Sequence, residues 1–365
     1  GGLGGYLNSA TKDVIKNITI SSTTVNCGFY CGGGFGYVTQ ANLDNWTTQS
    51  VTLNVKNAGV VNFRGRTDVG GVSSVYGNNY IGSQGAGGAI GHLHHTTSVS
   101  NLTLSTTINR VQAAGDQRTV FGSEVNDALL NFNYSANFGG SGSSATTSKI
   151  YPVSLDRHFG GVFGKLMVTG ADATLSHIRV TANIASVGSG ASGSFIKPLY
   201  DVGGVFGGVL AARGSGSATN VGITLNDVVV SGLTASCTIG CGGIGGYIAT
   251  YSVEATGTNL YNLNFNMTKS GVTATFNDTS NYTQPKYQED SLDAVGVGYL
   301  LARGAGGFFG SIHAIENAYT AAVAAGTGGG GTPAIYHSAL APKVTVSESY
   351  TRTSFQKYSY LEGSG

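Results

Sequence analysis

The sequence predicts an all-β fold, a parallel β-solenoid (β-helix) of Gly-rich coils with inserted loops. A seven-residue motif, Gly-Gly, two residues, Gly, one residue and an apolar residue, recurs seven times. Segments that alternate apolar and polar residues follow several copies of the motif, as expected of short strands. Glycine contributes 59 of 365 residues and charged residues only 10%, so hydroxyls, amides and backbone must cover the surface.

The copies of the motif lie at irregular distances, which indicates a repeat of about 40 residues with insertions. A short strand with one apolar face is unstable alone, whereas stacked coils bury a continuous core. We expect the paired glycines to permit positive φ and a close approach of the next coil. A β-propeller, with blades of about 40 to 50 residues, is the alternative fold. The copies begin at Gly1, Gly32, Gly87, Gly160, Gly203, Gly242 and Gly306.

A second signature, a polar residue followed by apolar, any and apolar residues, begins at Asn17, Asn101, His177, Asn220 and Asn262. Its β-branched content predicts strand starts. Together, the Gly motifs and these signatures resemble the GLUG-type repeats of bacterial surface adhesins and immunoglobulin A peptidases, over residues 1 to about 320. The resemblance implies β-helical stalk modules and transfers no catalytic residue.

We divide the chain into a solenoid over residues 1–317, a small-residue connector over 318–345 and a terminal strand segment over 346–365. Insertions near 110–158 and 270–294 interrupt the coil spacing, and solenoid insertions usually emerge on the binding side. The chain begins without Met inside a motif copy, so we expect a processed product or a piece of a longer precursor.

Four cysteines form two pairs, Cys27 with Cys31 and Cys237 with Cys241, and each pair directly precedes a Gly motif. We predict two disulfides that close equivalent turns, which implies an oxidising compartment. A zinc site of four thiolates is the first alternative, although pairs 210 residues apart would require neighbouring coils. Free thiols are the second.

The insertion near 270–294 holds the candidate ligand-binding residues. Carboxylates combined with aromatic faces are suited to binding or cleaving a sugar, and of these two roles we favour binding. A solvated loop is the simpler interpretation. The residues are Asp278, Tyr282, Tyr287, Glu289 and Asp290.

Asparagine sequons occur along the chain, and Asn277 and Asn281 in the polar insertion are the best glycosylation candidates. Asn17 and Asn101 begin strands and are expected to stack as an amide ladder instead.

His92 and His94 would share one face of a strand and could bind a metal with a third ligand. Polar residues on a solvated strand are the simpler interpretation. We predict no metal site and no cofactor.

Net charge is +1, and no Lys/Arg cluster could neutralise a row of phosphates, so nucleic acid is not an expected partner. No run of about 18 apolar residues predicts a transmembrane helix, and no nucleophile motif indicates an enzyme.

We therefore predict an extracellular or cell-surface structural or adhesive protein, either a subunit of a filament or the stalk of an adhesin. A glycan or host-surface ligand is a possible partner for its insertions. The terminal strand segment would cap its own solenoid end or complete the next subunit by strand addition. A carbohydrate-binding or carbohydrate-cleaving β-helix and a trimeric viral tail fibre are the alternatives.

Overall fold

In the structure, a computed structural model, the described residues form a solenoid of seven coils built from strands. Each coil begins or continues with one copy of the Gly motif, so the predicted count of repeats is confirmed. The structure describes residues 1–8, 13–28, 30–56, 60–61, 79–80, 85–111, 157–187, 199–212, 220–237, 239–251, 262–277, 305–315 and 342–356.

The strands of the first part of the chain are β1 (Gly4–Leu7), β2 (Val14–Ser21), β3 (Thr24–Cys27), β4 (Tyr30–Gly32), β5 (Phe35–Val38), β6 (Asn42–Val55), β7 (Val60–Val61), β8 (Asn79–Tyr80), β9 (Gly85–Gly87), β10 (Ile90–Leu93) and β11 (Ser98–Val111). Those of the second part are β12 (Arg157–Gly160), β13 (Phe163–Thr169), β14 (Ala173–Val187), β15 (Tyr200–Gly203), β16 (Phe206–Ala212), β17 (Asn220–Ser236), β18 (Ile239–Gly242), β19 (Gly245–Tyr251), β20 (Asn262–Thr268), β21 (Gly271–Asn277), β22 (Ala305–Gly306), β23 (Phe309–Ile315), β24 (Lys343–Ser347) and β25 (Tyr350–Gln356).

Three parallel sheets run along the solenoid. Sheet A joins β1, β5, β10, β13, β16, β19 and β23, and sheet C joins β4, β9, β12, β15, β18 and β22. Sheet B joins β2, β6, β11, β14, β17, β20 and β24, with β3, β21 and β25 beside them. The coils are β1 to β3, β4 to β6, β9 to β11, β12 to β14, β15 to β17, β18 to β21 and β22 to β25, called coils 1 to 7.

The predicted parallel β-solenoid is confirmed, and the propeller alternative is wrong. Propeller blades are separate antiparallel sheets, whereas these sheets continue from coil to coil in parallel register. In the described ranges, only β7 and β8 pair antiparallel, and they lie between coils 2 and 3.

The main core of the described residues is an apolar column enclosed by the three sheets. Strands of sheet B alternate buried and outward residues, as in β14, because successive side chains of a strand point to opposite faces. Phe163, Phe206 and Phe265 are among the large side chains that are completely buried. Burial of each such ring contributes about 2 to 3 kcal/mol.

Motif glycines let sheets A and C pack backbone against backbone. A Cβ on Gly207 would collide with the backbone of His158 and Phe159, and one on Gly246 would collide with Asp201. The predicted close approach is therefore confirmed. The expected positive φ is wrong, because none of the motif glycines, all within described ranges, has it.

Left-handed residues instead bend sheet B. Around Asn101 the burial alternation changes phase, so that Val99 and Leu102 both point inward. Asn, Asp and His tolerate this conformation better than most residues. One such residue per coil, with φ from 47° to 58°, lies in a register column that we call the ridge: Asn17, Asn45, Asn101, His177, Asp227, Lys269 and Glu348.

The predicted strand signatures divide between two positions. Asn17, Asn101 and His177 lie on the ridge in mid-sheet, not at strand starts. Asn220 and Asn262 do begin strands and pair with each other. The predicted signature therefore matched two different structural positions, the ridge and the start of a strand.

Three coils carry one extra residue in sheet B, each five positions after the ridge: Ser22, Ser50 and Gly232. The ladder shifts register there against neighbours that lack it, as at a β-bulge. Bulged and regular coils thus pair within one sheet.

The solenoid extends past the predicted boundary at residue 317. Strands β24 and β25 pair with β20 and β21, so the terminal segment belongs to coil 7. Residues 271–277 form β21 of coil 6 instead of an insertion. Residues 112–156 and 316–341, which hold most of one insertion and of the connector, lie outside the described residues.

Candidate functional site

Both predicted disulfides are present, so the zinc and free-thiol alternatives are wrong. Cys27 and Cys31 link the end of β3 to β4, and their Cα atoms are 5.6 Å apart. Cys237 and Cys241 link the end of β17 to β18, with Cα atoms 5.8 Å apart. Each disulfide joins one coil to the next across an equivalent turn. Bonds of this kind are those of an oxidising compartment.

The predicted sugar-binding residues, Asp278, Tyr282, Tyr287, Glu289 and Asp290, lie outside the described residues, so that prediction stays a prediction. The same holds for Asn281 as a glycosylation candidate.

Asn277 is described, and it lies at the end of β21 instead of in a loop. It is half-buried, and its backbone carbonyl accepts a hydrogen bond of 3.1 Å from the N–H of Cys237. Glycosylation at Asn277 stays a prediction.

An aromatic stack lies on the outer face of sheet A in the first three coils. Tyr6, Tyr37 and His92 occupy the same motif position and pair in register. The ring centroids of Tyr6 and Tyr37 are 5.4 Å apart, and those of Tyr37 and His92 are 4.7 Å apart. Tyr30 of sheet C closes the side of the stack, 5.1 Å from His92. We call these four residues the aromatic stack.

Exposure increases along the aromatic stack toward coil 1. His92 is 6% exposed, Tyr37 is half-buried and Tyr6 is 62% exposed. Burial, and secondarily the charge of Tyr37, raises the pKa of Tyr30 to about 12. The Tyr30 phenol therefore stays protonated at neutral pH, and the stack offers uncharged ring faces to a ligand.

His92 is buried, and neither of its ring nitrogens has a hydrogen-bond partner among the described residues. Burial, with smaller contributions from Lys165 and His94, lowers its pKa to about 2. Burial also lowers the pKa of His94, and Lys165 adds to that effect. Both imidazoles are therefore neutral at physiological pH.

The two imidazoles do lie on one side of β10, with ring centroids 6.3 Å apart. Within the described ranges, however, no group of three metal-binding side chains exists. Lys165 lies beside His92 in sheet A, and its ammonium would repel a cation. The geometry favours a neutral ligand over a metal ion.

The ridge carries an ion-pair cluster in coils 4 and 5. Arg179 donates to both carboxylate oxygens of Asp227, at 2.7 and 2.9 Å, and His177 Nδ1 lies 2.8 Å from one of them. These hydrogen bonds, that of Arg179 first, lower the pKa of Asp227. The three side chains are partly exposed, and surface ion pairs of this kind contribute less than about 1 kcal/mol to the free energy of unfolding. We therefore interpret the cluster as part of the fold's surface and not as a functional site.

Amide ladders connect coils 1 to 3. On the ridge, the Nδ2 group of Asn45 donates to Oδ1 of Asn17 at 2.7 Å. A second ladder follows in β3, β6 and β11, where Asn109 donates to Asn54 and Asn54 donates to Asn26, each at 3.2 Å. The predicted stacking of Asn17 is therefore confirmed.

Asn101 departs from that prediction. Its Nδ2 group donates to the carboxylate of Asp44 at 2.8 Å, not to an asparagine. In both cases the later coil donates to the earlier coil.

Among the described strands, coils 1 and 7 each pair with a neighbouring coil on one side only. In the part of the chain that the structure describes, β1, β2 and β3 pair only with coil 2, and the strands of coil 7 pair only with coil 6. Of the seven large hydrophobic side chains that are exposed among the described residues, six lie in coils 1 and 7. Unpaired edges beside apolar surface are where another chain can add. The six are Leu3, Tyr6, Val14, Ile312, Val346 and Tyr350.

Sequence reasoning missed Asn45 and the second ladder. In each of the first three coils, two asparagines lie eight or nine positions apart, and this spacing was the available signal. Asn45 was missed because Thr48 stands where the signature has its second apolar residue, although Thr48, like Trp46, points into the core.

Compared with known proteins, the chain matches no family model, no curated protein and no solved structure. A bilayer-crossing helix is not found in the described part of the chain.

Proposed function

We propose that the protein is an extracellular structural or adhesive protein, a subunit of a cell-surface filament or the stalk of an adhesin. The observation that carries this proposal is that, within the described residues, the strands of coils 1 and 7 have a neighbour on one side only and lie beside exposed apolar side chains. Such edges add further strands unless they are covered.

Several properties suit a load-bearing role outside the cell. Each coil extends the rod by about 4.8 Å, the spacing of paired strands, and successive coils are joined by ladders of backbone hydrogen bonds. Two disulfides secure turns between coils. The low content of charged residues, 10%, leaves few cleavage sites for trypsin-like proteases.

Electron microscopy of the purified chain at several concentrations, without reductant, tests the proposal. Fibres whose axial repeat equals one subunit are the expected result. Isolated rods at every concentration would contradict the filament role and leave the stalk of a longer adhesin as the remaining form.

Carbohydrate binding is a second candidate, favoured by the exposed end of the aromatic stack. Sugars present apolar faces that pack on aromatic rings, and Tyr6 and Tyr37 form a stacked pair with one exposed ring. On a glycan array, Tyr6→Ala should reduce binding. Tyr350→Ala, which removes a ring 54% exposed at the opposite end, is the matched control. Equal signals from both variants and the unmodified chain would contradict this role.

A further inference from the structure

The amide ladders have a direction, and that direction specifies what the open end of coil 1 offers. Asn17 and Asn26 accept from coil 2 through their side-chain oxygens. Their Nδ2 groups therefore point away from coil 2, toward the open end. Coil 1 thus presents two amide donors, one on the ridge and one at the end of β3.

The opposite end carries acceptors at the same two positions. The ridge ends in coil 7 at Glu348, an exposed carboxylate. The second column continues to Asn277, which pairs with Gln356 in β25. Gln356 is also exposed, and its amide oxygen is an acceptor.

We propose that chains stack head to tail, with coil 1 of one copy following coil 7 of another as an eighth coil. Asn17 then donates to Glu348, and Asn26 donates to Gln356, so both ladders continue across the junction. This inference rests on the proposed filament function and specifies its interface. Because the two surfaces differ and each added copy presents a new coil 7 or coil 1 edge, growth is open-ended.

Backbone geometry at the two ends supports this stacking. Asn17 has φ of 58° and Glu348 has φ of 47°, so both edges bend at the same point. The register that places Asn17 on Glu348 also places Ile15 on Val346, which is 41% exposed in the free chain. In the stacked pair, the extra residue Ser22 would lie opposite a coil 7 strand that has no extra residue. Ser50 of β6 already lies opposite such a strand, β11, within the chain.

Charge is complementary across the junction. Lys16 precedes the ridge residue of coil 1, and Glu348 is the ridge residue of coil 7. In coil 7 the position that meets Lys16 is Ser347, so no like charge opposes it. A hydrogen bond from an amide to a carboxylate is also stronger than one between neutral groups.

Asn17→Asp tests the junction without breaking the solenoid. The new carboxylate still accepts from Asn45, so the ladder inside the chain persists. At the junction it replaces a donor with a negative acceptor facing Glu348. We expect the critical concentration for fibre formation to rise at least about tenfold, as loss of one charge-assisted hydrogen bond implies.

Asn183→Asp is the matched control, because Asn183 is an exposed asparagine in the middle of β14. It should form fibres as the unmodified chain does. Adding Glu348→Gln to Asn17→Asp should restore assembly, because the Gln amide can donate to the new carboxylate. Thermal unfolding of each variant in dilute solution checks that the solenoid is intact.

The outcomes separate this interface from the filament function. Fibres of the unmodified chain that Asn17→Asp does not weaken relative to Asn183→Asp would overturn the interface and leave the filament role standing. Absence of fibres from the unmodified chain, residues 1–365, would overturn both.

Discussion

Interior and terminal coils share the Gly motif but differ in burial, because an interior coil packs against a neighbour on both sides and a terminal coil on one side. Phe163 and Phe206 occupy one motif position in coils 4 and 5 and are completely buried, whereas Phe309 at that position in coil 7 is only partly buried. Core-facing residues of coil 1, such as Leu7 and Ile18, are likewise only partly buried. In a solenoid the contact between neighbouring coils supplies most of the stability, so the end coils hold the unused contact surface. The difference places the exposed contact surface at the ends, where we propose that chains assemble.

The largest effect should come from removing a ring in the interior. Phe206→Ala leaves a cavity that neighbouring coils cannot fill, and it should lower the free energy of unfolding by about 3 to 5 kcal/mol. Phe309→Ala should cost about half as much, because that ring is partly solvated in the free chain. Urea unfolding of dilute, unassembled protein measures both. Equal losses of unfolding free energy in the two variants would contradict the difference between interior and terminal coils.

A methyl group placed between sheets A and C should have the next largest effect. Gly207→Ala puts a Cβ into the backbone of His158, and the overpacking should cost about 3 kcal/mol. Gly5 has the same motif position in coil 1, where a Cβ would meet nothing within 4 Å. Gly5→Ala should therefore leave the urea midpoint nearly unchanged. A comparable loss in both variants would show that intrinsic backbone preference, not close packing, selects Gly here.

Removing the two disulfides should destabilise different parts of the solenoid. Each closes a short loop, so replacing either pair by Ser should cost about 2 kcal/mol. Without Cys27 and Cys31 the first coil should fray locally, whereas without Cys237 and Cys241 the interior coils should loosen. Hydrogen exchange followed by mass spectrometry resolves the two patterns. Identical exchange maps would contradict the distinction between end and interior.

His92 should have the smallest effect on the free energy of unfolding at neutral pH. That effect should increase as the pH falls. The pKa of His92 is about 2 in the fold and about 6.5 in the unfolded chain, so the unfolded state takes up a proton first as the pH falls. Stability from the neutral ring is complete above about pH 6.5 and should decrease by about 2 kcal/mol at pH 5. His92→Phe keeps an aromatic ring without titration, and the urea midpoint should then depend less on pH. The depressed pKa of His94 leaves a residual slope of the same sign.

Much of the fold could be predicted because its constraints are local. Seven Gly motifs specified seven coils, since the close approach of sheets A and C excludes any side chain there. The cysteine pairs could be read as disulfides because four-residue separations close single turns. The ridge could not be located as well, because loops of different length separate each motif from its ridge residue, as the motif at Gly32 from Asn45 and that at Gly203 from Asp227.

Local sequence patterns were enough to predict the architecture, namely parallel coils, the position of the close glycine contacts and the disulfide pairs. Tertiary structure alone decided which polar residues meet. Asn26, Asn54 and Asn109 became one ladder, and the column they begin ends at Gln356, because coil register brings together residues far apart in the chain. Register depends on bulges and on loops that vary from coil to coil, and neither leaves a constant spacing in the sequence.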